Sequence, residues 1–128
     1  MIEVGQKFTL THKVTEQDTA RVIGSGELDV LATPKMCALM EESAYKCIMA
    51  ELGEDSSSVG TSLNIKHLSA TPVGMSVTIE ATVSKVDGRK ISFTLTASDE
   101  AGLIGEGEHD RFIVTKEKFI SKTYSKLK

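Results

Sequence analysis

No stretch of about 18 consecutive apolar residues occurs in this chain, so no membrane-spanning helix and no membrane partner are expected. The opening Met1-Ile2-Glu3-Val4-Gly5-Gln6-Lys7 carries an acidic residue and lacks an apolar core, so it does not read as a signal peptide. Cysteine is scarce: Cys37 and Cys47 stand ten positions apart on one predicted helix, too far along its axis to bridge each other. Two thiols without a signal peptide favour a reducing compartment, so a cytoplasmic location is expected and both thiols read as small buried hydrophobes. Internal repeats and low-complexity segments are also missing. With 40% of its 128 residues hydrophobic, the chain reads as a single domain over residues 1–128, and pairing would relieve the surface-to-volume problem of so small a unit.

Further absences narrow the chemistry. No His, Cys or carboxylate pair has the spacing of a zinc site, and neither a glycine-rich phosphate loop nor a Gly-x-Ser-x-Gly elbow is present, so no metal is expected. The net charge of −3 hides an asymmetry: residues 116–128 carry five lysines and one glutamate, a net +4 that leaves −7 on the residues before them. This tail holds one Phe, one Tyr and no Arg. It reads as a solvated terminal helix whose lysines suit its C-terminal dipole, and nucleic acid is not expected as a partner.

What is present is one helix inserted into a series of strands. Residues 7–14 alternate and hold β-branched side chains, which predicts a first strand. Residues 17–22 suit a helical turn, with a loop at Gly24-Ser25-Gly26. Thr33-Pro34 then opens a helix, with Thr33 as N-cap and Pro34 at the first helical position, and the helix should run to about Leu52 and stop at Gly53. Four strands are expected near 59–69, 76–86, 90–99 and 102–114, and Asp87-Gly88 between two alternating runs is the strongest hairpin signal. A long helix followed by an antiparallel meander long enough to wrap it predicts an α+β architecture, the hotdog arrangement of a central helix in a curved sheet.

At roughly 100° per residue, Met36, Leu39, Met40, Ser43, Ala44, Cys47 and Ile48 form one apolar arc. Glu41 falls at its edge and Glu42 points away from it. A partly desolvated carboxylate suits a general base or water-orienting group, although an ordinary solvated glutamate on the helix flank fits the same position. Thr33 has two readings as well: a plain cap, or a hydroxyl beside free backbone amides where an acyl oxygen is favourably held. Pro34 removes one such donor, so the amides of Lys35 and Met36 would serve unless Gly60 contributes. His67 ends the run Val59-Gly60-Thr61-Ser62-Leu63-Asn64-Ile65-Lys66-His67-Leu68. A lone strand histidine can be structural, but hydroxyl, carboxylate and imidazole together are the groups that acyl transfer uses. His12 and His109 show no companion carboxylate at useful spacing, apart from Glu108 and Asp110 on the face opposite His109.

The segments Leu31-Ala32-Thr33, Met36, Leu39-Met40-Glu41, Gly60-Thr61, His67 and Ala70-Thr71-Pro72-Val73-Gly74 occur in an order and spacing that resembles the fluoroacetyl-CoA thioesterase family of the hotdog superfamily. The likeness runs from Val4-Gly5 and Phe8 to Glu117-Lys118-Phe119. It implies a catalytic threonine, glutamate and histidine at Thr33, Glu41 and His67, with Gly60 where the acyl carbonyl binds. Two departures bear on substrate choice. Pro34-Lys35 replaces the glycine-aromatic pair that follows the threonine in the fluoroacetyl-specific enzyme, and Arg21–Val30 is shorter and lacks its lid phenylalanines. The expected activity is therefore hydrolysis of a short or small acyl-CoA without a fluoroacetyl preference, CoA being part of the substrate and no cofactor being needed. Exposed cations at Lys66, Arg89 and Lys90 are candidate CoA phosphate contacts. A homodimer joined sheet edge to sheet edge, with its sites at the interface, is expected. The alternative class is a hotdog module that binds acyl-CoA or another small ligand without turnover. A hydratase is disfavoured because an Asp-x-x-x-x-His dyad is missing.

Overall fold

A computed structural model describes residues 1–128. Strand β1 (Lys7–Lys13) leads through a turn of 3-10 helix at Glu16–Asp18 and a short α1 (Ala20–Ile23) to the long α2 (Thr33–Met49). Strands β2 (Ser56–His67), β3 (Ser76–Asp87), β4 (Lys90–Asp99) and β5 (Gly102–Thr115) follow, and α3 (Lys116–Tyr124) closes the chain. All neighbouring strands are antiparallel, in the order β1-β3-β4-β5-β2. This is the α+β hotdog arrangement expected from the sequence. Each strand and the C-terminal helix is found within a few residues of its expected bounds.

Helix α2 buries the expected arc: Met36, Leu39, Met40, Ser43, Ala44, Cys47 and Ile48 are its buried residues. Opposite them lie the alternate residues of the two central strands, Val77, Ile79, Ala81 and Val83 on β3 and Ile91, Phe93, Leu95 and Ala97 on β4. A period of 3.6 facing a period of 2 makes one apolar layer between helix and sheet. The helix ends three residues before the expected Leu52. There the Glu51 and Leu52 amides donate to Ile48 and Met49 carbonyls, a tightened last turn that leads into Gly53.

Thr61 is the extra residue of a bulge, because Gly60 pairs with Arg111 while Ser62 pairs with Asp110. Its consequence is a change of phase. Gly60 and His67 are seven positions apart, an odd number that would send them to opposite faces of a regular strand. With the bulge between them, Ser58 and Gly60 on one side and Leu63, Ile65 and His67 on the other all face α2. Strand β2 is also an edge of the sheet, so one row of its backbone groups has no partner strand.

Candidate active site

Thr33 is not the cap of α2: Ala32 holds that position in an extended conformation, and Thr33 and Pro34 begin the helix itself. The Met36 amide is already taken by the Ala32 carbonyl at 3.0 Å, so of the two amides expected to receive an acyl oxygen it is engaged. Freed from capping, the Thr33 hydroxyl lies 2.7 Å from Nδ1 of His67. Gly105, the partner of His67 on β5, makes this approach possible: a Cβ there would sit 2.8 Å from Met36 Cε and Sδ. Bare backbone at Gly105 lets the first turn of α2 settle onto the sheet.

The other imidazole nitrogen, Nε2, is buried and has no hydrogen-bond partner. Burial pushes the His67 pKa below the ordinary histidine value, with the Ser69 backbone opposing it more weakly. The ring is therefore neutral at pH 7, with one nitrogen committed to Thr33 and one uncommitted. Beside the pair opens a cavity of about 320 Å³, lined by Ala20, Val30, Leu31 and Leu68 among others.

Glu41 lies elsewhere. It is eight positions beyond Thr33, about 12 Å along the helix axis, and it faces the middle of β2. A Cβ on Gly60 would stand 2.8 Å from Glu41 Oε2, 3.1 Å from His109 Cε1 and 3.5 Å from Arg111 Nη1. Glu42, by contrast, pairs with Lys46 at 2.6 Å in solvent. Of the two adjacent carboxylates, the one at the edge of the arc turns inward, as the helical phase requires.

Sequence reasoning missed the two β5 residues beside Glu41. His109 and Arg111 are 2% and 7% exposed. Nδ1 of His109 lies 2.8 Å from the Ser62 carbonyl, which can only accept, so Nδ1 carries the proton and Nε2 accepts from Arg111 Nη1 at 3.2 Å. Arg111 also donates from Nε to Ser58 Oγ at 2.8 Å and from Nη2 to the Ser58 carbonyl at 2.9 Å, and its Cζ sits 5.9 Å from the Tyr45 ring centroid. Burial pushes both pKa values down, while the Glu41 charge acts to raise both. No charged group figures among the causes of the His67 shift. Within one chain, Glu41 is electrically a neighbour of Arg111 and His109 and not of His67.

The remaining candidates are dispersed. Lys66 points away from the His67 face, into an outer groove with Glu106 and Glu108. Arg89 and Lys90 stand at the β3–β4 turn, at the Gly60 end of the sheet, and Lys90 lies 3.7 Å from Asp110. Cys37 is half-buried instead of buried, and burial followed by the Glu41 charge pushes its thiol pKa up; Cys47 is raised by burial and by Glu51. Neither is a ready nucleophile. His12 does have a carboxylate companion, contrary to the sequence expectation: Nε2 lies 2.7 Å from buried Asp18, which also accepts from the Thr15 amide at 2.8 Å and has Lys35 at 3.6 Å. Burial acts to raise the Asp18 pKa, but the Thr15 and His12 bonds outweigh it and hold the carboxyl below its usual range. This cluster ties the segment before α2 to β1. No group of three or more His, Cys, Asp or Glu is placed to hold a metal ion, and no helix is long and apolar enough to cross a membrane.

The model of the family described as "Fluoroacetyl-CoA-specific thioesterase" matches residues 14–117. A fluoroacetyl-CoA thioesterase from Streptantibioticus cattleyicolor is 34% identical over 98% of this chain and 94% of its own length. The crystal structure of the fluoroacetyl-CoA thioesterase FlK superposes with a TM-score of 0.93 at 32% identity, covering 98% of both chains. A hot-dog-like protein from Thermanaerovibrio acidaminovorans, 22% identical, shares the fold with a TM-score of 0.91 over 99% of this chain and 94% of its own.

Proposed function

Because the chain belongs to the fluoroacetyl-CoA-specific thioesterase family, we propose that it hydrolyses a small acyl-CoA thioester to free acid and CoA, using Thr33, His67 and Glu41 with Gly60 at the acyl carbonyl. The observation that carries this reading is the Thr33–His67 pair with its unpartnered Nε2 beside a small cavity. A buried imidazole nitrogen without a partner is costly unless something arrives to bond it. The thioester carbonyl or the attacking water supplies that partner. Glu41 provides the anion that either attacks the carbonyl carbon or activates the water. Cleavage of the C–S bond then releases CoA thiolate, which takes up a proton; after direct attack, water hydrolyses the Glu41–acyl anhydride, which frees the acid and restores the carboxylate.

The separation of Glu41 from Thr33 gives the pairing of two chains a chemical purpose. The free edge of β2 offers a two-fold antiparallel junction. Centred near Leu63 and Asn64, such a junction sets Gly60 and Glu41 of one chain beside the partner's His67. The site is then assembled from both subunits, and Arg89 at the Gly60 end is the most available cation for CoA phosphates.

A structure of FlK variant protein has been solved with fluoroacetate and CoA. A fluoroacetyl preference is not carried over to this chain, because Pro34, Lys35 and the short Arg21–Val30 segment occupy the positions that differ.

The test is release of free thiol from a panel of acyl-CoAs, followed with a thiol-reactive dye. Short acyl groups should be cleaved, and His67→Ala should lower kcat/KM by about 10²-fold or more, the range of a positioned acid or base. Tight binding without thiol release, unchanged in His67→Ala, would replace the enzyme with a binding module. A monomer mass by light scattering with activity intact would break the shared site.

A further inference from the structure

We propose that buried Asp18 is the positioning residue for the acyl cavity: it pins the chain segment that forms one wall of that cavity to the first turn of α2, and so sets which acyl sizes are hydrolysed. The inference rests on reading the cavity beside Thr33 and His67 as the acyl site. Apart from the neutral His67 ring, no acidic or basic side chain lines it, which suits an uncharged aliphatic acyl group. Ala20, Ser25, Val30, Leu31 and Ala32, on one side of the cavity, all come from the segment between Asp18 and Thr33.

This segment is a loop whose two limbs meet at Asp18. On the way out, Thr19 bridges Leu31, and the Ala20 amide donates to the Val30 carbonyl at 3.0 Å. On the way back, the Ala32 amide donates to the Asp18 carbonyl at 2.9 Å, and Ala32 is the N-cap of α2. Little apolar burial holds the loop: α1 has no buried residue, and Val22, Ile23 and Leu28 are all exposed. The returning limb is also tied by the Leu31 amide to the Thr71 carbonyl at 2.9 Å, whereas the outgoing limb depends on the turn that ends at Asp18.

The Asp18 carboxylate fixes that turn on two sides. Its Oδ2 accepts from His12 Nε2 at 2.7 Å and from the Thr15 amide and hydroxyl at 2.8 and 3.1 Å, and its Oδ1 lies 3.6 Å from Lys35 Nζ. His12 belongs to β1, and Lys35 stands in the first turn of α2, two residues after Thr33. A carboxylate that is 5% exposed is costly to bury without such partners. The Lys35 contact also steadies the end of the helix. A cation in the first turn opposes the helix dipole, and α2 has no acidic residue there, so Asp18 supplies the missing negative charge from outside the helix. One carboxylate thereby fixes the cavity wall and the Thr33 turn against β1.

The experiment measures thiol release from acetyl-CoA and hexanoyl-CoA, melting temperature, and hydrogen exchange of residues 19–32 for the full chain and for Asp18→Asn, Lys35→Met and Lys35→Arg. Asn keeps the shape of Asp but donates from one of the two atoms that only accepted, and it removes the charge facing Lys35. In Asp18→Asn the preference for acetyl over hexanoyl, as a ratio of kcat/KM values, should fall about tenfold, within the range that one methylene in an apolar pocket supplies. Exchange across residues 19–32 should quicken in the same variant. Lys35→Met should lower the preference several-fold at a melting temperature close to the parent's, and Lys35→Arg should restore it, because the cation returns. If Asp18→Asn does not fold, Lys35→Met decides. A parental preference in either variant, even beside a lowered melting temperature, would reduce Asp18 to a structural anchor and overturn the proposal, as would a parent that cleaves both acyl groups alike. Thiol release from neither acyl-CoA by the parent would overturn the thioesterase reading itself, and the proposal with it.

Discussion

The two ends of the α2–β2 contact are built on opposite principles. At the Thr33–His67 end the groups are neutral, one nitrogen is unpartnered, and a cavity lies open beside them. At the Glu41–Gly60 end Glu41 and Arg111 are charged, Arg111 and the neutral His109 are almost fully buried, and their donors are committed to Ser58, Ser62 and, from Arg111 Nη1, to His109 itself. The proposed roles fit this difference: a proton carrier has to gain and lose partners during turnover and needs a free nitrogen, whereas a fixed charge acts by not moving and needs its bonds in place. Neither end holds a complete acyl-transfer site, which is the physical reason for expecting two chains to combine them.

The largest effect should come from the charged end. Glu41→Gln keeps the size and hydrogen-bonding capacity of the side chain and removes its charge, so turnover should fall by about 10²-fold or more, and the melting temperature should fall as well, because buried Arg111 loses its nearest counter-charge. A single-turnover experiment in heavy-oxygen water sharpens the point. Label recovered in Glu41 means direct attack through an anhydride opened at the Glu41 carbonyl; label confined to the product acid fits water attack on the thioester and also an anhydride opened at the acyl carbonyl, and hydroxylamine trapping of an acyl-enzyme separates these two.

Gly60→Ala tests the same end by geometry. The added methyl would stand 2.8 Å from Glu41 Oε2 and 3.1 Å from the His109 ring, so carboxylate or sheet must give way. A displacement of this order should cost about tenfold in kcat or more. Parent-like kcat in Gly60→Ala would show that the position of Glu41 over Gly60 is immaterial to the reaction.

The helix end of this contact was legible in the sequence and the sheet end largely was not. The apolar arc from Met36 to Ile48 has an unbroken helical period, which placed Glu41 at its edge. Gly60 inside a strand is a weak signal of a bulge or close approach, but it does not say which residue is inserted, and strict alternation puts Gly60 and His67 on opposite faces. Arg111 carries no mark of burial of its own, since arginine is mostly solvent-exposed. A signal was available: His109 and Arg111 share the parity of Ile113, which packs against the core. Asp18 had a signal of its own, since Thr15 and Asp18 stand at capping-box spacing. Its bond to His12 joins residues whose proximity depends on the fold of the loop.

At the neutral end the expected effect is graded with pH. Burial holds the His67 pKa below the ordinary value of about 6.5. A base must be unprotonated, so kcat/KM should be flat near pH 7 and fall as pH drops through that depressed value, with the midpoint below about 6.5. The pKa values of His67 and His109 are both lowered in the fold, so the unfolded chain binds more protons between about 6.5 and the depressed values, and the stability these two rings contribute should decline as pH drops through that window. An acid limb centred above 6.5, or one that persists unchanged in a residually active His67→Gln, would assign the titration to another group.

The smallest effect should come from the residue next to the one with the largest. Glu42 is half in solvent and pairs with Lys46 one helical turn away at 2.6 Å, a bond between flexible, hydrated side chains. Such i,i+4 pairs contribute about 0.3–0.5 kcal/mol, so Glu42→Gln should leave turnover at the parent value and shift the melting temperature by no more than about 2 °C. Measured beside Glu41→Gln, this variant controls for the loss of one negative charge from the same helix turn. A fall in turnover confined to Glu41→Gln ties the effect to the carboxylate over Gly60, because the net charge and helix composition of the two variants are the same. Equal losses in both would mean that the long-range field of α2, and not a particular carboxylate, matters to the reaction, and the contrast between a bonded end and an open end would no longer explain the activity.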